Sequence, residues 1–87
     1  MKPWITYDSD ADALYVYLSE EQVAQTVAGS NNRFVDLDEA GGIVGIEVLD
    51  VSSGFELTDL AERYGVENEL WLVEPSLPHQ FYRRYAS

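Results

Sequence analysis

Arg33 to Leu49 reads RFVDLDEAGGIVGIEVL, and the period of its apolar residues decides the fold. Val35 and Leu37 alternate with polar neighbours, and Val44, Ile46 and Val48 do the same after a break. A period of two belongs to strands rather than helices. The break is Glu39-Ala40-Gly41-Gly42, where both glycines are free to take the positive φ of a tight hairpin. The stretch is therefore an antiparallel hairpin with one apolar face. Asp36 and Asp38 share the opposite face, together with Glu47. A two-residue turn at Gly41-Gly42 sets Asp36 opposite Glu47, where like charges repel, whereas a register centred one residue earlier puts Gly45 there.

The same period recurs toward the N-terminus. In WITYD, Ile5 and Tyr7 point one way and Trp4 and Thr6 the other. In ALYVYLS, Leu14, Val16 and Leu18 share a face opposite Ala13, Tyr15 and Tyr17. Pairing these segments sets Ile5 against Val16, Tyr7 against Leu14 and Trp4 against Tyr17, with residues 8–13 as the turn. VAQTVAG, Val23 to Gly29, is a weaker strand, and SNNR a turn.

Beyond Ser52 the period changes. Ser53-Gly54-Phe55-Glu56 has the form of a capping box. Leu57, Leu60, Ala61 and Tyr64 follow at helical spacing, and Gly65 is a natural C-terminal cap. These signals predict a helix of about three turns over residues 53–65, packed on the apolar face of the sheet. Leu70 to Glu74 has the composition of a strand, and Ser76 is placed to cap a short final helix gathering Phe81, Tyr82 and Tyr85. The expected fold is a small α+β domain: a twisted antiparallel sheet of four to five short strands, one covering helix and an aromatic C-terminal extension. Residues 1–87 form one domain, with a β core over 5–52, the helix over 53–65 and the extension over 66–87.

Composition narrows the function. The 87 residues include no cysteine, which excludes disulfides, thiolate metal sites and cysteine nucleophiles. The N-terminus lacks an apolar signal core, and no apolar run approaches the ~20 residues of a membrane span. A soluble cytoplasmic protein is the expectation. The charge of −11 is concentrated in one part of the chain. From Met1 to Glu62 two basic residues, Lys2 and Arg33, stand against thirteen acidic ones, while beyond them three arginines balance three glutamates. Such a body repels phosphate backbones, so direct nucleic-acid binding is disfavoured, and it attracts a basic partner protein or simply maintains solubility.

Few residues carry chemistry. Asp8-x-Asp10-x-Asp12 begins like a calcium loop, but the glycine and bidentate glutamate such a loop requires are replaced by Ala13 and Ser19. A hairpin turn, with Asp8 and Asp12 bonding nearby backbone N–H groups, accounts for the pattern better. Asp36, Asp38 and Glu47 could serve acid–base chemistry or a divalent ion, but a solvated charge row on an exposed strand face of an acidic protein explains them better. His79 has no second histidine and no orienting carboxylate in view. No Gly-rich phosphate loop joins a strand to a helix, and Pro75 and Pro78 mark a turn. Nothing calls for a cofactor, and no catalytic residue can be named. A small metal-binding protein or enzyme using Asp8, Asp10, Asp12 or Asp36, Asp38 and Glu47 remains the rival reading.

The stronger lead is the sheet's outer face. Trp4, Tyr15, Tyr17 and Phe34 point away from the helix-bearing side, and aromatic patches of this kind are covered in a small protein. Either the aromatic tail covers them or a second subunit does, which makes a homodimer one expectation and a plain structural dimer with a solubilising surface another.

Tyr7-Asp8-x-x-Ala11-Asp12-Ala13-Leu14-Tyr15-Val16, Asp36-Leu37-Asp38-Glu39 and Gly42-Ile43-Val44-Gly45-Ile46-Glu47-Val48-Leu49-Asp50 occur in order. Together they resemble the bacterial and archaeal family known as domain of unknown function twenty-two eighty-three, over roughly residues 5–52. The chain departs from that family's pattern at Asp10, in an extra glycine between Glu39 and Gly42, and in a longer C-terminal extension. The resemblance carries over no activity and no catalytic residue. It implies that some members sit beside small toxin-like proteins, hence an antitoxin-like or partner-binding role.

Overall fold

Among the described residues five strands form one antiparallel sheet in the order β1-β2-β5-β4-β3, where β1 is Trp4–Asp8, β2 Ala13–Tyr17, β3 Gln25–Ala28, β4 Arg33–Leu37 and β5 Ile43–Val48. A 3-10 turn at Val51–Ser53 leads to helices α1 (Thr58–Tyr64) and α2 (Glu67–Val73). This computed structural model describes residues 2–29 and 32–73. The α+β architecture is the one the alternating apolar pattern predicts, with every strand pairing antiparallel to its neighbour.

The register of the first hairpin follows from its apolar residues. Ile5 pairs with Val16, Tyr7 with Leu14 and Trp4 with Tyr17. A one-residue slip would turn Leu14 and Val16 to solvent, so burial of one face fixes the pairing. In β4 and β5 the earlier of the two centrings is realised, with Asp36 opposite Gly45 and Phe34 opposite Glu47. Asp38 shapes this turn: its carboxylate accepts hydrogen bonds from the Ala40 and Gly42 N–H groups at 3.0 and 2.7 Å. Of the two glycines only Gly41 takes a positive φ, 87°, while Gly42 admits the Asp38 carboxylate at close range.

One part of the apolar pattern needs correction. The pairing shifts between Asp36 and Leu37, so Leu37 meets Ile43 and Val44 is the extra residue of a β-bulge. Its carbonyl accepts both the Leu18 and Ser19 N–H groups, at 2.8 and 3.1 Å. Val44 is buried but lies outside the main core cluster, and Ile43 packs against that cluster instead. Strict alternation predicts the reverse, because it has no means of counting an inserted residue.

The core lies between the inner sheet face and the helices. Leu14, Val16, Val35, Ile46 and Val48 are at most 2 % exposed and meet Val51, Leu57, Leu60, Ala61, Leu70 and Val73. Burial of apolar area is the principal stabilising term here. The helices differ from expectation in extent and in kind. Val51–Ser53 forms a 3-10 turn and Gly54 has φ 103°, so α1 starts at Thr58 and runs for 7 residues. The Ser53 hydroxyl donates to Asp50 at 2.9 Å and forms no capping box. Glu56 nevertheless serves the helix start, since its carboxylate accepts the Thr58 N–H at 2.8 Å and also the Thr58 hydroxyl. Gly65 caps α1 with φ 67°, in the left-handed conformation that glycine adopts without cost from a Cβ.

Residues 70–73 belong to a helix rather than a strand. Val66, Leu70 and Val73 are buried at spacings of four and three, while Trp71 and Leu72 project outward. Apolar runs this short fit either structure by composition, and the Val66 contact resolves them. The proposed Ser76 cap, the cluster of Phe81, Tyr82 and Tyr85, His79 and the Pro75–Pro78 turn lie outside the described residues. Among the described residues no helix is long and apolar enough to cross a membrane.

Candidate functional site

Alternation gives the sheet an outer face with two cross-strand rows. One runs Trp4, Tyr17, Gly45, Asp36, Thr26, and the other Thr6, Tyr15, Glu47, Phe34, Ala28. The four aromatic residues singled out by sequence, Trp4, Tyr15, Tyr17 and Phe34, are thus brought together on one surface. Trp4 and Tyr17 stack with ring centroids 4.1 Å apart and planes 6° from parallel. Tyr15 meets Tyr17 at 4.6 Å, tilted by 56°. Both helices direct their buried residues into the opposite face. Among the described residues of these two rows only Gly45 is buried, and Trp4 remains 48 % exposed.

Gly45 is buried because Tyr15 lies over it. A Cβ at this position would stand 2.5 Å from two ring carbons of Tyr15, closer than atoms can approach. The missing side chain lets the Tyr15 ring cross β5 and donate its hydroxyl to Asp36 on β4 at 2.5 Å. Thr26 on β3 donates to the other Asp36 oxygen, also at 2.5 Å. One carboxylate ties β2, β3 and β4, and the Tyr15 ring spans β5 between them. Burial, reinforced by the Asp36 carboxylate, raises the Tyr15 pKa well above the ordinary tyrosine value.

The acidic candidates separate rather than converge. Asp8 accepts the Asp10 and Ala11 N–H groups at 3.0 and 3.3 Å, the local turn its spacing predicts. Asp10 is exposed. Asp12 departs from the expected role of bonding nearby N–H groups: with φ 51° it turns toward residue 52. It accepts the Ser52 N–H at 3.0 Å, the Ser52 hydroxyl at 2.9 Å and the Tyr7 hydroxyl at 2.9 Å. The Ser52 N–H is the first cause of the lowered Asp12 pKa, and the Asp12 carboxylate raises that of Tyr7. Asp36 binds Tyr15 and Thr26, Asp38 closes its own turn, and Glu47 sits between Tyr15 and Phe34. Among the described residues no three acidic or histidine side chains form a group able to hold a metal ion.

Arg33 carries a role that sequence reasoning missed. It is 7 % exposed and reaches the Glu56 carbonyl, while its guanidinium binds Asp59 bidentately at 2.9 and 3.3 Å. That contact is the first cause of the lowered Asp59 pKa. The signal was available, since Arg33 is in phase with the inward Val35 and Leu37. A charged residue in an apolar phase requires a buried partner. Asp12 and Ser52, forty residues apart, left no comparable trace.

The fold and its polar contacts define a class: a small two-layer α+β protein whose ordered carboxylates brace strands and turns. The chain belongs to the family described as Protein of unknown function (DUF2283), whose model matches residues 4–52. That span takes in all five strands and ends at Ser52, the residue held by Asp12, so α1 and α2 lie beyond it. No curated protein and no solved structure matches the chain.

Proposed function

We propose that this is a non-enzymatic protein-binding module that meets a basic partner protein across the outer face of its sheet. The observation that supports it most is the stacked, part-exposed Trp4–Tyr17 pair on a face that both helices leave open. Tyrosine and tryptophan favour interfaces because they bury large area and keep a polar atom within reach of water. The charge of −11 favours a basic partner and speeds its approach. The antitoxin-like role implied by the family resemblance is the specific form of this reading, with the partner encoded beside this chain.

The test is direct binding to the products of adjacent genes, followed by calorimetry at several salt concentrations. Affinity should fall steeply between low and physiological salt, and Tyr17→Glu should abolish it. Binding that Tyr17→Glu leaves intact would refute the outer face as the contact. The stacked aromatic pair also supports a second reading, self-association into a homodimer through Trp4, Tyr15, Tyr17 and Phe34. Such a dimer should persist at high salt in light scattering and dissociate with Tyr17→Glu.

A further inference from the structure

Three carboxylates stand on the strands of the sheet: Asp8 on β1, Asp36 on β4 and Glu47 on β5. Two are satisfied within the fold. Asp8 accepts two backbone N–H groups of its own turn, and Asp36 accepts the Tyr15 and Thr26 hydroxyls. Glu47 forms no hydrogen bond or ion pair with another described residue. It is half-buried nonetheless, on the central strand, with Tyr15 directly opposite on one side and Phe34 on the other. Cross-strand neighbours on one sheet face stand side by side, so Glu47 lies between two aromatic residues. It also borders a depression of about 350 Å³ shared with Thr6, Asp8, Tyr15 and Leu49.

We infer that Glu47, between Tyr15 and Phe34, is a binding position for the guanidinium of an arginine side chain on a protein partner. This inference rests on the proposed function and names the chemistry recognised at that face. A half-buried carboxylate with no partner among the described residues bears a desolvation cost that an incoming cation offsets. The flanking rings select among cations. A planar, weakly hydrated guanidinium stacks on aromatic faces and bonds a carboxylate through two parallel N–H groups, whereas an ammonium offers only a compact point charge. The depression has room for the planar group and carries a second acidic side chain, Asp8, at its margin. Asp36 offers no equivalent site, because both of its oxygens already accept hydroxyl groups. Arg33 of the chain itself is held on the inner face by Asp59 and the Glu56 carbonyl.

The test uses the full-length protein labelled for amide NMR and titrated with N-acetyl-arginine amide. The lysine and citrulline analogues serve as probes of charge and shape. Arginine amide should give saturable shifts at Tyr15, Phe34, Gly45 and Glu47, in the millimolar range expected for one side chain. Citrulline should give none, and lysine should bind more weakly. Glu47→Gln should reduce arginine affinity about tenfold or more, the scale of a lost charge-assisted hydrogen bond, without altering the fold seen by circular dichroism. Equal shifts with citrulline, or lysine binding as tightly as arginine, overturn the inference. So does arginine binding that is unchanged in Glu47→Gln. Applied to a purified partner, Glu47→Gln separates the two readings. If Tyr17→Glu abolishes partner binding and Glu47→Gln does not affect it, the arginine position fails and the interaction face stands. If neither variant matters, the face itself is wrong.

Discussion

The two faces of the sheet are built from alternate residues of the same strands, and they are finished in opposite ways. The inner face is apolar and closed: Leu14, Val16, Val35, Ile46 and Val48 meet the helices, and the one charge among them, Arg33, is paired at the rim. The outer face is aromatic and polar, held by stacking and by hydrogen bonds through Asp36, and α1 and α2 pack on the opposite side. The difference teaches where specificity resides. Hydrophobic burial is non-directional and needs only area, whereas the outer contacts require particular atoms at particular places. The inner face accounts for stability. The outer face carries the directional contacts, the Trp4–Tyr17 stack and the Asp36 bridge.

If that division is right, truncation should cost far more inside than outside, even for a smaller side chain. Ile46→Ala, at a fully buried central position, should lose about 2–5 kcal/mol in denaturant unfolding, the cost of lost burial plus a cavity. That is a large fraction of what a small domain has. Gly45→Ala comes next. Its Cβ collides with the Tyr15 ring, so the ring must leave Asp36 or the strand must shift, at about 1–3 kcal/mol. A double-mutant cycle with Tyr15→Ala should recover most of that loss, because the obstacle is then gone. Absence of coupling between the two substitutions would mean that the outer-face bridge does not govern this glycine.

Much of this was legible in the chain. Strand phase, the register of the first hairpin and the meeting of Trp4, Tyr15, Tyr17 and Phe34 all follow from a period of two, because one buried face makes each slip costly. The Val44 bulge was hidden, since an inserted residue changes phase without changing composition. Helix α2 was hidden for a related reason: LWLV alone fits either period, and its partner contacts, not its letters, decide. The Asp12–Ser52 and Tyr15–Asp36 bonds depend on loops that bring distant residues together, which single-strand patterns do not encode. The Asp36–Gly45 pairing was one of two open registers, and the bridge to Tyr15 is what makes its glycine necessary.

Trp4 sharpens the contrast between faces. It is the larger side chain, yet it is about half exposed, so Trp4→Ala should cost less than Ile46→Ala, with the aromatic pair itself worth about 0.5–1.5 kcal/mol beyond the area it buries. The same unfolding experiment as for Ile46→Ala provides the comparison. A loss equal to that of Ile46→Ala would show the outer face to be as closed as the inner one in solution.

The smallest effect at neutral pH, and the most selective, is alkaline. Tyr15 donates its hydroxyl to Asp36 on the outer face, and its neutral form is favoured in the folded protein by burial and by the Asp36 carboxylate. Its folded pKa is therefore raised above the unfolded value of 10.0, and the folded state holds this proton longer than the unfolded chain does. By linkage the associated stability is fully present below pH 10 and is lost as pH rises through the folded pKa. Tyr7, raised by its bond to Asp12, shifts in the same direction but on the turn that Ser52 closes. Tyrosinate absorbance followed through the alkaline range should show these two hydroxyls ionising late. Tyr15→Phe should remove one late step and flatten the alkaline fall in stability, leaving the Tyr7 contribution in place. An alkaline limb unchanged by Tyr15→Phe would mean that the Tyr15–Asp36 bond adds nothing to folding, and that the polar bridge across Gly45 sets geometry alone.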